Sequence, residues 1–223
     1  DHLKALARVS RLLRDHDVRA VSINPQTNAW DWLASSSGDL FAYLQDRRLL
    51  TMLDKPEMAS WRELEVFLQQ YPDLPLLLTG AWWSEQRYLL PLLARYPNLH
   101  LSFDSFQIHY GIEYLEGKGL GRQMCFASNA PLMSMGAHRT FVDYADISAE
   151  AKSRVASGNL LRLLGDLPTP AERLNANEDA YMAAARRGEP LPVPVIDLHM
   201  HILHPGLNCA GGGYRMDRGG PDG

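Results

Sequence analysis

The sequence predicts an α/β fold built on a parallel sheet, and three observations carry that reading. Short apolar runs alternate with amphipathic helical stretches. The runs start at intervals of roughly 24 to 31 residues, the length of one strand plus one helix. Proline, glycine and asparagine punctuate the joints between them. With 223 residues, 46% hydrophobic and 22% charged, the chain has the composition of a globular protein with a sizeable core.

Five runs read as strands: VRAVSI (18–23), LLTML (49–53), LPLLL (74–78), LHLSF (99–103) and QMCFA (123–127). Between the second and third, Trp61, Leu64, Leu68 and Tyr71 recur at three- and four-residue steps until Pro72 stops them. The next helix follows the same plan. Ser84 is its expected N-cap, Tyr88, Leu89, Leu92, Leu93 and Tyr96 form its buried stripe, and Pro97 and Asn98 end it. After the fifth strand, Ser148 is an expected N-cap, Glu150 suits a first turn, and Gly165 closes the last helix of the unit. Five such units fit either half of a barrel or an open doubly wound sheet, and period alone does not separate them. Gly117, Gly119 and Gly121 lack the GxGxxG order and precede their strand instead of following it, which argues against a dinucleotide loop.

Residues 167–192, bracketed by prolines, read as a linker holding one short polar helix that ends near Gly188. A new strand, VPVIDLHMHI, starts at Val193 and runs into a glycine-rich tail. The expected organisation is therefore a first unit over 1–166, the linker, and the truncated start of a second unit over 193–223. Asp1 in place of Met and the tail GGGYRMDRGGPDG give both ends the look of a cut, so the chain reads as a fragment.

Net charge is −4 with both signs interspersed, which leaves no basic face for nucleic acid or an anionic membrane. Cys125 and Cys209 are far apart and in no ligand spacing; with no apolar run long enough to span a bilayer, the expected compartment is cytoplasmic. No GxSxG elbow, Walker loop or paired-cysteine motif appears.

The chemistry concentrates in Asp197-Leu198-His199-Met200-His201. Residues two apart on a strand face the same side, so His199 and His201 can offer two imidazoles to one metal ion from a strand's C-terminal end. Two histidines at a strand end are also compatible with simple solvation. VIDLHMHILHPG, residues 195–206 of the segment 193–206, resembles the opening strand of amidohydrolase-superfamily barrels, where such a pair holds a divalent metal. His204, three residues further on, is either a substrate contact or a solvated loop residue.

A longer stretch, residues 18–165, is similar to the back half of the amidohydrolase-related branch of metal-dependent hydrolases and decarboxylases. That branch has F-G-S-D-x-P at strand eight and a later G-N-x-x-R-L-L segment. Here Phe126-Ala127-Ser128-Asn129-Ala130-Pro131 and Gly158-Asn159-Leu160-Leu161-Arg162-Leu163-Leu164 stand in the same order. The resemblance implies a partial (β/α)8 TIM barrel of about five β/α units, followed by the first strand of another barrel. It also implies a small-molecule substrate, and a divalent metal, zinc in the first instance, for the second barrel.

The departures matter as much. The family's metal-binding aspartate is Asn129 here, and an amide neither takes up a proton at neutral pH nor offers anionic charge. The histidines ending strands five and six should fall near Leu53 or Asp54 and near Thr79 or Gly80, and none of these is histidine. The first barrel is thus expected to be a pseudoenzyme that holds no metal. Its mouth residues, Thr79, Trp82, Trp83 and Asn129, together with Ser102, Asp104 and Ser128, could bind a ligand or be satisfied locally. Adjacent Trp82 and Trp83 diverge, so at least one should line the mouth or an interface; Trp30 and Trp32 fit a pocket or the core equally. His100 and His109 have no partner at ligand spacing and are expected to be satisfied by backbone groups.

Two readings of function follow, a metal-dependent hydrolase or decarboxylase whose chemistry sits in the second barrel, and a non-catalytic module that binds a ligand or supports a partner barrel. A permuted barrel, with the HxH strand packing back on the first half, is a third arrangement. Unpaired strand edges favour a homo-oligomer or an intramolecular partner barrel.

Overall fold

In the computed structural model, residues 2–165, 178–187, 189 and 193–194 are described. The chain divides into two compact units, Asp1–Leu167 and Pro168–Gly223.

In the first unit, helix α1 (His2–Asp15) leads into strand β1 (Ala20–Ile23) and helix α2 (Ala34–Asp46). Strand β2 (Leu50–Asp54), helix α3 (Trp61–Gln70), strand β3 (Leu76–Thr79), helix α4 (Gln86–Arg95) and strand β4 (Leu99–Ser102) continue the alternation. Helix α5 (Gly111–Gly117) precedes strand β5 (Met124–Cys125). The strands form one sheet in the order β1-β2-β3-β4-β5, and every pair is parallel. Sequential parallel order with a helix in each crossover is the arrangement the strand-helix period predicts.

The α3 signals act as read. Ser60 caps the helix by accepting from the Glu63 amide, while Glu63 reaches back to the Ala59 amide at 2.9 Å. Leu64, Phe67 and Leu68 are its buried side. Helix α4 corrects an expectation. Ser84 does not cap it but lies inside a 3-10 turn, Trp83–Glu85, and Glu85 accepts from the Trp82 amide at 3.0 Å. The Glu85 side chain serves the Trp82 amide at the start of that turn, and α4 begins at Gln86 with no side-chain cap.

After β5 come α6 (Met135–Asp143), α7 (Ala149–Ser153), a π-helical turn (Arg154–Gly158) and α8 (Asn159–Leu164). Ser148 caps α7 by accepting from the Ala151 amide at 3.1 Å, and Gly165 stops α8 at φ +75°. Asn159, in the G-N-L-L-R-L-L segment, is buried and donates from Nδ2 to the carbonyls of Gly121 (2.8 Å) and Met124 (2.7 Å). It anchors α8 to the entry of β5. Leu160, Leu163 and Leu164 then pack on one sheet face, over Ala20, Leu50, Met52, Leu77 and Cys125. The alternate residues Leu53, Leu76, Leu78 and Leu101 are buried and point to the other face, where α4 packs on β4 and against α3.

Two of the three glycines before β5 have structural explanations. Gly119 adopts φ +76°. A Cβ on Gly121 would collide with the Glu116 carboxylate, which pairs there with Arg154. Trp32 is core, with its ring 4.5 Å from that of Phe67, and Trp30 stacks on Phe41.

The second unit contains α9 (Ala180–Arg187), where a short helix is expected in the linker. His199, His201 and His204 lie outside the described residues.

Candidate active-site mouth at the C-terminal strand ends

In a sheet of this kind, chemistry is placed where strands end and loops begin. Register fixes which residues share the α8-facing side there. Asp54 is level with Thr79, and Leu77 is level with His100, so Asp54, Thr79 and Ser102 follow the same face as Met52, Leu77 and His100. Leu53, the other residue expected at the first of these ends, is buried on the opposite face.

Asp54 and Thr79 meet directly, with Thr79 Oγ1 donating to Asp54 Oδ1 at 2.9 Å. Gly80 follows at φ +67°, and a Cβ there would lie 2.3 Å from Asp54 Oδ1. The glycine is needed twice, for its backbone angle and for the carboxylate lying against it. On the other side of Gly80, its amide donates to Asp104 Oδ2 at 2.9 Å, and Ser102 Oγ donates to Asp104 Oδ1. Asp104 is 7% exposed, so both of its oxygens are spent inside the protein. The mouth thus holds two carboxylates joined through Thr79, Gly80 and Ser102.

Sequence reasoning missed His138. Buried on α6, it faces the Asp104 carbonyl from Nε2 and the Ser134 carbonyl from Nδ1, both at 2.9 Å. Two carbonyls offer only acceptors, and a neutral imidazole donates to one of them. His138 ties α6 to the loop behind β4. Nothing in its sequence spacing marks it, because its partner lies 34 residues away.

The expected mouth residues separate in space. Trp82 is 60% exposed, as the argument from diverging neighbours requires of at least one of the pair, while Trp83 is half-buried. Glu85 links this turn to Lys55 at 2.8 Å. Asn129 is exposed at φ +51°, in a turn whose carbonyl accepts from the Met133 amide. No contact joins it to Asp54, Thr79 or Asp104 among the described residues.

His100 departs from expectation. It is 4% exposed, and its Nδ1 has no hydrogen-bond partner among the described residues. Burial, then the nearby Arg162 charge, lowers its pKa from 6.5 to about 4, so the ring is neutral near pH 7. It sits at the second position of β4, where the backbone groups are engaged in the sheet, which explains why no carbonyl serves it. The His109 ring lies 4.0 Å from that of Tyr110, tilted by 50°. Cys125 is buried, and burial raises its thiol to about 12, far from a nucleophilic state.

The donor set at these strand ends does not suit a divalent metal. Asp54 is exposed and takes the Thr79 hydroxyl on Oδ1 alone, Gly80 has no side chain, Asp104 is saturated by a hydroxyl and an amide, and position 129 carries an amide, so one open carboxylate stands where a divalent metal needs several ligands. Among the described residues, no three His, Cys, Asp or Glu side chains gather as a ligand group. No described helix is long and apolar enough to cross a membrane.

Comparison with known proteins agrees with this architecture. The family model described as amidohydrolase matches residues 1–165. No curated protein sequence matches the chain. Among solved structures, the chain is similar to an uncharacterised TIM-barrel protein from Bordetella bronchiseptica, at TM-score 0.59 and 19% identity. The alignment covers 73% of this chain and 62% of that one, so the chain spans less than two thirds of the solved protein's length. At that identity the likeness speaks to fold, and it places the five parallel β/α units in a partial TIM barrel. Through residues 1–165, this chain belongs to the amidohydrolase family.

Proposed function

We propose that the parent protein is a metal-dependent hydrolase of amide or ester bonds, or a decarboxylase, acting on a small organic acid. Its metal chemistry belongs to the segment that starts near Val193, and residues 1–165 contribute a barrel half that holds no metal. The observation that supports this division is the closed network at the strand ends, where Asp54 is held by Thr79 and Asp104 by Gly80 and Ser102. A ligand at this mouth would have Trp82, Trp83 and Asn129 available as aromatic and hydrogen-bonding surface, with Asp54 as its one exposed carboxylate.

In this reading His199 and His201 hold the ion, zinc being the first choice for paired imidazoles, and His204 is available to the substrate. Zinc in such a site would polarise a carbonyl or lower the pKa of a bound water. Two imidazoles alone make a weak site, since catalytic zinc takes three protein ligands and an open position. Domain boundaries at 166 and 193 and pairing with a partner barrel belong to the same proposal.

The test is zinc binding by the full chain in equilibrium dialysis, read by elemental analysis. Binding should disappear in the His199→Ala, His201→Ala double variant and be unchanged in Asp54→Ala and Asp104→Ala. Zinc retained by the double histidine variant and lost with either aspartate would overturn the assignment.

A further inference from the structure

At the opposite end of the sheet, where the strands begin, a cleft of about 670 Å³ opens beside residues that immediately precede β1 to β4. Its walls carry four arginines, Arg19, Arg47, Arg48 and Arg162, against two carboxylates, Asp17 and Asp73. Asp17 is taken by Arg19 through two hydrogen bonds, and Asp73 lies 3.8 Å from Arg48. The other two arginines meet only neutral groups among the described residues. Arg47 lies over the Tyr43 ring at 3.6 Å and donates to the Tyr43 carbonyl. Arg162 donates from Nη2 to the Arg122 carbonyl at 2.8 Å. Each guanidinium has five donors, so both keep unused N–H groups.

A buried imidazole lines the same space. His100 forms part of the cleft wall, is 4% exposed, and leaves its Nδ1 without a partner. Two arginines without a carboxylate partner, lining one cleft, describe a receptor for an oxyanion carrying about two charges. The volume exceeds what a single ion fills and suits a small organic molecule, for which Leu13, Leu49 and Leu163 offer apolar contact.

We propose that this cleft binds a small phosphorylated molecule, its phosphate held by Arg47 and Arg162, with His100 in the adjoining wall. The site is a binding site and not a reaction centre, because it lies at the strand N-termini and holds no nucleophile. It does not depend on the metal assignment made above.

The probe is pyrophosphate, titrated into the full chain at fixed ionic strength while the His100 ring nitrogens are followed by NMR. A saturable shift of His100 is expected. The Arg47→Gln, Arg162→Gln variant should weaken it at least tenfold, and the lysine versions of the same pair should weaken it less, because charge survives without the planar fork. Circular dichroism identical to the parent chain shows that the glutamine variant is folded, and the lysine pair gives the same readout if it is not. Equal shifts with chloride, or affinity unchanged in the glutamine variant, would overturn the site. Citrate binding as tightly as pyrophosphate would overturn its assignment to phosphate.

Discussion

Replacing Gly80 with alanine tests whether the mouth is filled in the way the hydrogen bonds describe. Two costs combine. Alanine at φ +67° carries a left-handed penalty of about 1 kcal/mol. Its Cβ, only 2.3 Å from Asp54 Oδ1, must also push that carboxylate off Thr79, forfeiting a hydrogen bond of about 1 kcal/mol. The sum is about 2 kcal/mol, against about 1 kcal/mol when Asp54 has first been changed to alanine and nothing remains to collide with. Urea unfolding of the parent chain, both single variants and the double variant, at constant m-value, measures the difference. A coupling of about 1 kcal/mol between the two positions is expected. Equal costs of Gly80→Ala in both backgrounds would show that Asp54 does not lie against Gly80, and the closed network would fall with it.

Two further outcomes are expected. Asn159→Ala leaves the buried carbonyls of Gly121 and Met124 unpaired and should destabilise the first unit by about 2–4 kcal/mol, with Asn159→Asp no better because it lacks both donors; an unchanged thermal midpoint would refute the anchoring role. His100, with its pKa lowered from 6.5 to about 4 by burial and by Arg162, binds its proton more readily in the unfolded chain, so its contribution is complete above about pH 6.5 and is lost as pH falls toward 4. The loss is about 3 kcal/mol, and His100→Leu should flatten stability against pH over that window; an equally steep profile in the variant would refute the buried neutral state.

The strand-helix succession could be read from the sequence because each strand is buried and apolar and each helix carries its own stop. Boundaries moved where a neighbouring group took a backbone partner. Strand β5 is two residues long, not the five of QMCFA, because the Phe126 amide donates to Val155 in the π-helical turn. Ser84 has no capping role because the 3-10 turn Trp83–Glu85 precedes α4 and encloses it. At the mouth, the family resemblance implied missing ligands, at Asn129 and near Thr79 or Gly80. What replaces those ligands was not readable. The bonds from Gly80 to Asp104 and from His138 to the Asp104 carbonyl join positions far apart in sequence, and no local pattern encodes them. His100 was misjudged because its isolation depends on where α8 and the strand starts leave it.

The sheet's sequential order has a consequence for how the chain acquires its structure. Each strand pairs with the next to be synthesised, about two dozen positions further on, so the sheet can grow in the direction of translation without waiting for a distant partner. Its apolar face cannot. Leu50 and Leu77 are covered by Leu163 and Leu164, at the far end of the first unit, and stay exposed until α8 has left the ribosome and Asn159 has found the carbonyls beside β5. A nascent chain paused before Asn159 therefore presents a greasy, paired but uncovered sheet, which is the species a chaperone or a protease would meet first.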